Sequence, residues 1–150
     1  MIKNSVFKTH ALEYDQWFVE HDAIYEAELK ALKSLCPTGK KGLEIGVGTG
    51  RFAAPLNVSF GLEPSAPMAA LARQRVVTVV AGVAENLPFE EGSFDFALMV
   101  TTICFVNDPL KSLREAWRIH KSEGALILAF VEKESHQGKK YPERQSPSVF

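Results

Sequence analysis

Three glycines at alternate positions follow a short apolar segment that carries an acidic residue. In KGLEIGVGTGRF, residues 41–52, Gly46, Gly48 and Gly50 come directly after Leu43-Glu44-Ile45. Glycine has no Cβ, so a loop of this composition allows a ligand to approach the backbone closely. The N–H groups of such a loop, and of a helix that follows it, face the polar atoms of the ligand. The segment therefore predicts a nucleotide-type site where a parallel strand ends.

A second acidic residue strengthens this interpretation. Glu63 ends the next predicted strand and lies seventeen residues after Gly46. A carboxylate at that position can accept hydrogen bonds from both hydroxyls of a ribose, and hydrogen bonds to charged groups contribute about 1.5–3 kcal/mol each. The alternative is that Glu63 is an ordinary exposed acid at the end of a strand.

The register of the loop narrows the choice of nucleotide. The dinucleotide fingerprint G-x-G-x-x-G would place its third glycine at position 51, which is Arg51 here. A phosphate-binding P-loop would end in Gly-Lys-Ser/Thr, which the segment lacks. A nicotinamide-dependent oxidoreductase is therefore disfavoured.

The flanking sequence alternates between helical and strand patterns. Apolar residues recur at spacings of three and four before the loop, whereas the segments after it contain short, nearly continuous apolar runs. This order predicts an α/β fold, a doubly wound and mostly parallel sheet. The predicted helices are a short aromatic one at 14–18, one from Asp22 to Leu35, a short stretch at 52–56, one opened by Pro67, and one opened by Pro109. The predicted strands after the loop are 58–62, 76–81, 94–100 and 125–131, the last following a turn at Ser122–Gly124.

In the helix that begins at Pro109, the expected inner stripe consists of Leu110, Leu113, Ala116, Trp117 and His120.

Composition limits the class of protein. With 150 residues, 46% hydrophobic and 23% charged, we expect one domain over 1–150, with a helical N-terminal part at 1–40 and a tail at 133–150. A net charge of −1 argues against a nucleic-acid partner. The longest apolar run, 125–131, is far below the roughly 20 residues that span a bilayer, and no signal peptide is recognisable, so a cytoplasmic protein is expected. Cys36 and Cys104 belong to no metal-binding cluster, so we expect reduced thiols and no metal.

Five segments in this order and spacing resemble one known family. They are LEIGVGTGRF (43–52), GLEPS (61–65), AENLPFEEGSFD (84–95), FALMV (96–100) and LREAWRIHKSEGALILAF (113–130). Together they resemble the class I S-adenosylmethionine-dependent methyltransferases, of the small-molecule type with a methyltransferase-11-like domain. The resemblance covers residues 14–132. It implies a Rossmann-like sheet, S-adenosylmethionine as the cofactor, and methyl transfer to a small-molecule acceptor.

The resemblance also implies roles at the methionine end of the cofactor. Glu44 would help to hold the amino group, often through water, and the backbone of the three glycines would line the methionine and the ribose. Thr101 would lie beside the methionine, near the methyl group. Tyr14 resembles an aromatic residue that closes over the cofactor's carboxylate, although packing in the core is an equal alternative.

At the nucleoside end, Glu63 would accept the ribose hydroxyls and Pro64 would lie against the adenine. Ala84 and Glu85 fall where the family reads the adenine edge. Val83 occupies a position that is often aspartate, so the acceptor for the adenine amine would be Glu85 or a backbone carbonyl.

The chain departs from the family at its C-terminal side. Ser122-Glu123 replace a common Pro-Gly turn, and members of the family continue into a further helix and two more strands. The sheet is therefore expected to lack its last strands, which leaves 125–131 as an apolar edge. A C-terminal segment of a longer protein, or a partner such as a second copy, would cover that edge.

No catalytic base can be chosen from the sequence. Methyl transfer from a sulfonium is an in-line displacement that needs a base only when the acceptor must lose a proton. His136 could face the substrate or be an exposed tail residue; His10, His21 and His120 are expected to be structural. Thr102, Phe105 and Glu132 are candidates for the acceptor pocket. A non-catalytic module that binds S-adenosylmethionine or S-adenosylhomocysteine and acts through a partner is the alternative function.

Overall fold

Five parallel strands form the centre of the molecule. The computed structural model describes residues 7–132, 134–136 and 139. Its strands are β1 (Gly42–Ile45), β2 (Phe60–Leu62), β3 (Thr78–Val80), β4 (Phe94–Val100) and β5 (His120–Ala129). They lie in the order β3-β2-β1-β4-β5, and every adjacent pair is parallel. The predicted α/β fold class is confirmed, and the direction of winding reverses between β1 and β4, where ligands of such sheets bind.

Within the described residues, four bounded α-helices and one 3₁₀ turn flank the sheet. The helices are α1 (Ala11–Glu20), α2 (Asp22–Leu35), α3 (Ala66–Gln74) and α4 (Pro109–Ile119), and the 3₁₀ turn is Thr102–Cys104. The prediction of α2 is confirmed, and the short aromatic segment is part of the longer α1. Helix α4 begins as predicted, with Pro109 in its first turn and the Asp108 carboxylate accepting a hydrogen bond from the Lys111 N–H at 3.0 Å.

The two faces of the sheet form two hydrophobic cores. Alternate residues of β4 point to opposite faces. Phe96 and Leu98 pack with Phe18 of α1 and Leu32 of α2, on the same side as α3. On the other face, Met99 and its neighbours pack with Ala116 and Ile119 of α4. Helices α1–α3 thus pack on one face of the sheet, and helix α4 packs on the other.

Some predicted boundaries are wrong. The stretch 52–56 forms turns, with hydrogen bonds from Ala54 N–H to Gly50 O and from Leu56 N–H to Phe52 O, both 3.1 Å, before Asn57 adopts a φ of +57°. Strands β2 and β3 are three residues each, shorter than predicted. Strand β5 begins at His120, and the predicted turn at Ser122–Gly124 is an irregularity inside it, between the pairs Phe94–His120 and Phe96–Ala125.

The predicted inner face of α4 is wrong at Leu110 and Trp117 and right at Ala116. Leu110 and Trp117 are 58% and 70% exposed, whereas Ser112, Ala116 and Ile119 are buried. Ser112 can be buried because its hydroxyl donates a hydrogen bond to Asp108 O at 2.9 Å. Trp117 instead packs edge to face on the ring of His120, which is buried at the start of β5.

Strand β5 lies at one edge of the described sheet. Leu128 and Phe130 are 38% and 64% exposed there, so an apolar edge is present as predicted. What covers it stays a prediction. The predicted tail lies outside the described residues except for 134–136 and 139, and no described helix is long and apolar enough to cross a membrane.

Val76 gives a first testable prediction. Helix α3 ends with hydrogen bonds from Val77 N–H to Ala72 O at 3.2 Å and from Val76 N–H to Arg73 O at 3.0 Å, the pattern of a Schellman motif. That motif favours glycine at position 76, where the valine has a φ of +66° and is 89% exposed. Left-handed backbone costs a residue with a Cβ about 1–2 kcal/mol. We expect Val76→Gly to raise the free energy of unfolding by about 1 kcal/mol in urea denaturation.

Val76→Ala is the matched control, because it removes the exposed isopropyl group but keeps a Cβ. Its stability should rise less than that of Val76→Gly. Equal gains from the two variants would show that backbone strain is not the cause.

Candidate functional site

A cavity opens at the C-terminal ends of the central strands. Gly46 follows β1, Glu63 follows β2 and Thr101 follows β4, and all three line a space of about 690 Å³ that includes its open mouth. The site therefore lies where the winding of the sheet reverses.

The glycine loop has the backbone that its sequence predicts. Gly46, Gly48 and Gly50 have φ angles of +74°, +56° and +82°. Gly46 and Gly48 line the cavity. Gly50 does not; a Cβ there would lie 3.0 Å from Ala72 Cα, so this glycine allows α3 to pack closely on the loop.

Gly46 meets the segment that follows β4. A Cβ on Gly46 would lie 2.5 Å from both Oγ1 and Cγ2 of Thr102. The Thr102 hydroxyl donates to Gly46 O at 3.4 Å. Thr101, with a φ of +56°, turns the chain here. Any side chain larger than hydrogen at position 46 would push apart the segments that follow β1 and β4.

Glu63 joins β2 to the glycine loop. Its Oε2 accepts a hydrogen bond from Gly48 N–H and its Oε1 accepts one from Ser65 N–H, both at 2.9 Å. Glu63 is only 7% exposed, so it is not an ordinary exposed acid. Burial raises the pKa of this carboxyl, and the two backbone hydrogen bonds oppose the rise. Each oxygen keeps a further lone pair for a ligand hydroxyl.

Glu44 lies deeper than predicted. It is 1% exposed, is absent from the lining of the cavity, and its Oε2 has no hydrogen-bond partner. Burial raises its pKa well above the usual range; a hydrogen bond from the Ala53 backbone opposes the rise, and the charge of Glu63 adds to it. A buried carboxyl oxygen without a partner is costly, so a ligand group or water that reached it would be stabilised.

On the nucleoside side, the structure brings some of the predicted residues together. Pro64, Val83 and Glu85 line the cavity, whereas Ala84 is buried in the core. Glu85 Oε1 accepts hydrogen bonds from the N–H groups of Asn107 and Asp108, at 2.6 and 3.3 Å. The residue predicted to read adenine thus also holds the start of α4.

Helix α4 also holds the segment that contains Glu85, through hydrogen bonds to Leu87 and Phe89. Glu115 Oε2 accepts a hydrogen bond from Leu87 N–H at 2.8 Å, and Arg118 donates to Leu87 O and Phe89 O at 3.0 and 2.7 Å. The sequence analysis missed this bracing. The i, i+3 spacing of Glu115 and Arg118 allows the ion pair seen in the structure, but it carries no signal for the backbone partners of the pair.

Aromatic residues close the other side of the cavity. Tyr14 lines it together with Phe7 and Phe105. The Tyr14 ring also packs edge to face on Phe7 and Phe18, with centroids 5.7 and 5.3 Å apart. Tyr14 therefore lies at the cavity and in the aromatic packing at the same time, and its closure over the cofactor's carboxylate stays a prediction.

The sequence analysis missed five further lining residues, Phe7, Met68, Val100, Val106 and Asn107. The places of three of them carried a signal, because Phe7 precedes the aromatic α1 segment, Met68 lies in the first turn of α3 and Asn107 precedes α4. Of the predicted acceptor residues, Thr102 and Phe105 line the cavity and Glu132 does not.

No histidine among the described residues lines the cavity. His10 contacts Glu13, and the His21 ring stacks on Trp17. His136 is exposed. The described part of the chain also contains no cluster of three potential metal ligands.

Comparison with known proteins gives the family. The family model described as a methyltransferase domain matches residues 43–128, more than half of the chain. The chain belongs to the S-adenosylmethionine-dependent methyltransferases. The predicted resemblance, fold class and enzyme class are confirmed, as is S-adenosylmethionine as the cofactor.

Three relatives show the extent of the similarity, and one of them is described as a methyltransferase. A solved S-adenosylmethionine-dependent methyltransferase of Thermotoga maritima, described as a possible histamine N-methyltransferase, is 52% identical with a TM-score of 0.91 over 97% of this chain and 70% of its own. An uncharacterized protein of Methanocaldococcus jannaschii is 43% identical over 97% of this chain and 71% of its own length. An uncharacterized protein of Mycobacterium tuberculosis is 41% identical over 81% of this chain, which covers only 44% of that relative.

The buried Glu44 predicts a pH dependence of stability. Because its pKa is higher in the folded than in the unfolded chain, the folded state binds the proton more tightly, and the free energy of unfolding should fall as pH rises above the ordinary glutamate value of about 4.3. We expect Glu44→Gln to flatten this fall in urea denaturation series between pH 4.5 and 8.

The exposed Glu90 provides the control substitution. Glu90→Gln should leave the slope with pH unchanged. A Glu44→Gln protein with the wild-type slope would contradict the assignment of this pH dependence to Glu44.

Proposed function

We propose that this chain binds S-adenosylmethionine in the cavity beside the glycine loop and transfers its methyl group to a small-molecule acceptor. The observation that carries the proposal is the position of Glu63. Its buried carboxylate lies at the end of β2, hydrogen-bonded to Gly48 of the loop, and lines the cavity with lone pairs to spare. This is the arrangement expected for holding two ribose hydroxyls.

The orientation of the cofactor follows from that contact. With the ribose at Glu63, the adenine would lie between Pro64 and the Val83–Glu85 segment. The methionine part would run along Gly46 and Gly48 toward Thr101, with its ammonium group on the side of Glu44. The missing partner of Glu44 Oε2 supports that end of the assignment.

The cofactor supplies an electrophilic methyl group on a sulfonium that leaves easily. The residues of this chain therefore have two main tasks, positioning the acceptor in line and excluding water. Phe7, Phe105 and Val106 provide an apolar wall for these tasks, and Thr102 and Asn107 provide polar groups that can orient an acceptor.

The charge of the cavity favours a class of acceptor. Its described lining contains the carboxylates of Glu63 and Glu85 and no lysine, arginine or histidine. An uncharged or amine-bearing small molecule fits this lining better than an anion does, because an anion would enter without a counter-charge. A neutral amine has a free lone pair and needs no base before attack. The description of the Thermotoga maritima protein as a possible histamine N-methyltransferase supports this class.

Ligand binding tests the cofactor site. We expect calorimetric titration to show binding of S-adenosylmethionine and S-adenosylhomocysteine and none of NAD. Glu63→Ala should weaken the binding of S-adenosylhomocysteine at least about tenfold, because it removes charge-assisted hydrogen bonds and loosens the Gly48 N–H. Glu90→Gln, an exposed acid-to-amide change, should bind like the wild type. Unchanged affinity of Glu63→Ala would exclude the proposed ribose contact.

Turnover tests the acceptor. A panel of primary and heterocyclic amines that includes histamine, with carboxylic acids as the comparison set, should give S-adenosylhomocysteine formation with amines only. Formation with the acids alone would contradict the amine class. Binding without any turnover would favour the non-catalytic module instead.

A further inference from the structure

One carboxylate outside the cavity holds two arginines. Asp15 Oδ1 accepts a hydrogen bond from Arg51 Nε at 2.9 Å, and its Oδ2 accepts one from Arg51 Nη2 at 2.7 Å. The same Oδ2 accepts a third from Arg75 Nη2 at 2.9 Å. The three side chains are only 15–29% exposed. This is a bidentate, partly buried cluster rather than a surface ion pair.

The cluster joins three parts of the chain. Asp15 lies in α1, Arg51 follows the glycine loop directly, and Arg75 caps the C-terminus of α3. Arg75 Nη1 also donates to Thr49 O, inside the loop, at 2.9 Å. The Arg51 carbonyl accepts a hydrogen bond from the hydroxyl of Tyr25, which lies in α2. Through its two arginines, the Asp15 carboxylate thus connects α1 to both the interior and the end of the glycine loop.

The charge on Asp15 is secure at neutral pH. Burial raises its pKa, but the hydrogen bonds from Arg51 and Arg75 and the charge of Arg75 outweigh it and lower the pKa to about 2. The cluster therefore stays intact across the physiological range.

The residue next to Asp15 lies at the cavity. Tyr14 lines the site beside Gly48, where a Cβ would be 3.8 Å from Tyr14 Cε1. Apolar packing also holds α1, since Phe18 contacts Phe52 and Tyr25. Apolar contact is non-directional, whereas the fork of a guanidinium fixes the position of a carboxylate.

We propose that Asp15 is a positioning residue for cofactor binding: through Arg51 and Arg75 it fixes α1 on the glycine loop, so that Tyr14 closes the methionine end of the cavity. This inference rests on the proposed function, because the ligand that Tyr14 would enclose is S-adenosylmethionine or S-adenosylhomocysteine. A purely structural role would lower stability without acting through Tyr14.

The chain offers a matched control. Asp95 also pairs with a basic side chain, Lys121, at 2.9 Å, and accepts Lys41 N–H at 2.7 Å. It lies at the N-terminal end of β4, the end away from the cavity. Asp95→Asn makes the same chemical change as Asp15→Asn at a place that does not face the cofactor.

Calorimetry with S-adenosylhomocysteine on five proteins tests the inference: wild type, Asp15→Asn, Asp95→Asn, Tyr14→Ala and the double variant Asp15→Asn/Tyr14→Ala. We expect Asp15→Asn to weaken binding about tenfold and Asp95→Asn to stay within about twofold of wild type. In the Tyr14→Ala background, Asp15→Asn should weaken binding further by no more than about twofold, because the two residues act through one contact.

Hydrogen exchange gives a second readout. The amides of α1 should exchange faster in Asp15→Asn than in the wild type, and the ligand should restore less of their protection. Arg75→Gln keeps the bidentate Arg51 contact and so provides a milder variant, with an intermediate loss of affinity, if Asp15→Asn does not fold.

The outcomes separate the two proposals. If the wild type binds S-adenosylhomocysteine and Asp15→Asn binds it with the same affinity, the positioning role is overturned and the proposed function stands. A full tenfold loss in the Tyr14→Ala background also overturns it, because Asp15 would then act without Tyr14. A wild-type protein that binds no S-adenosylhomocysteine overturns both.

Discussion

The hydrogen bonds of the Glu63 carboxylate are the constraint on which the site depends. They join the end of β2 to Gly48 and Ser65, and so connect the glycine loop with the start of α3. Burying a charge without partners would cost several kcal/mol, and these backbone N–H groups offset part of that cost. Gly46 and Val47 reinforce the junction, since both N–H groups donate to Leu62 O, at 2.8 and 3.0 Å. The loop is therefore shaped by the protein itself before any ligand arrives.

The two sides of the cavity are fixed by different chemistry. On one side, Glu115 and Arg118 of α4 hold the 85–89 segment, and Glu85 holds the start of α4, so the proposed reading of the adenine edge would depend on a helix that does not line the cavity. On the methionine side, the glycine loop is tied to α1 by Asp15 and its arginines. Each acidic residue near the site thus has structural partners, and only Glu63 and Glu85 also face the cavity.

Features set by neighbouring residues could be predicted from the sequence, whereas contacts between residues far apart in the chain could not. Glycine spacing, the apolar run of β4 and the Asp108-Pro109 cap are local signals, and the loop, the strand and the helix start agree with them. The Asp15 contacts join residues 36 and 60 positions apart, so no local pattern indicated them. Arg51 was interpreted only as an obstacle to a dinucleotide, whereas in the structure it holds α1.

The errors on α4 and β5 have the same origin. Apolar periodicity predicted that Leu110 and Trp117 would be buried, but Ser112 is buried instead. The Ser112 hydroxyl can be buried because it makes a hydrogen bond within the helix. Likewise, residues 122–124 indicated a turn, whereas pairing with β4 begins at His120 and resumes at Ala125. Composition cannot show an irregularity that depends on the partner strand.

The distribution of charge around the loop explains why a cationic cofactor suits it. Glu63 lines the cavity and Glu44 is buried in β1 outside the lining; both have raised pKa values, and no described lysine, arginine or histidine lines the cavity. Arg51 and Arg75 are engaged by Asp15 and by Thr49 O. In the proposed binding mode, the sulfonium and ammonium groups of S-adenosylmethionine would bring positive charge to these carboxyl groups. Binding should therefore favour the ionised form of Glu44, and part of the affinity would come from relieving a cost that the folded protein carries while the site is empty.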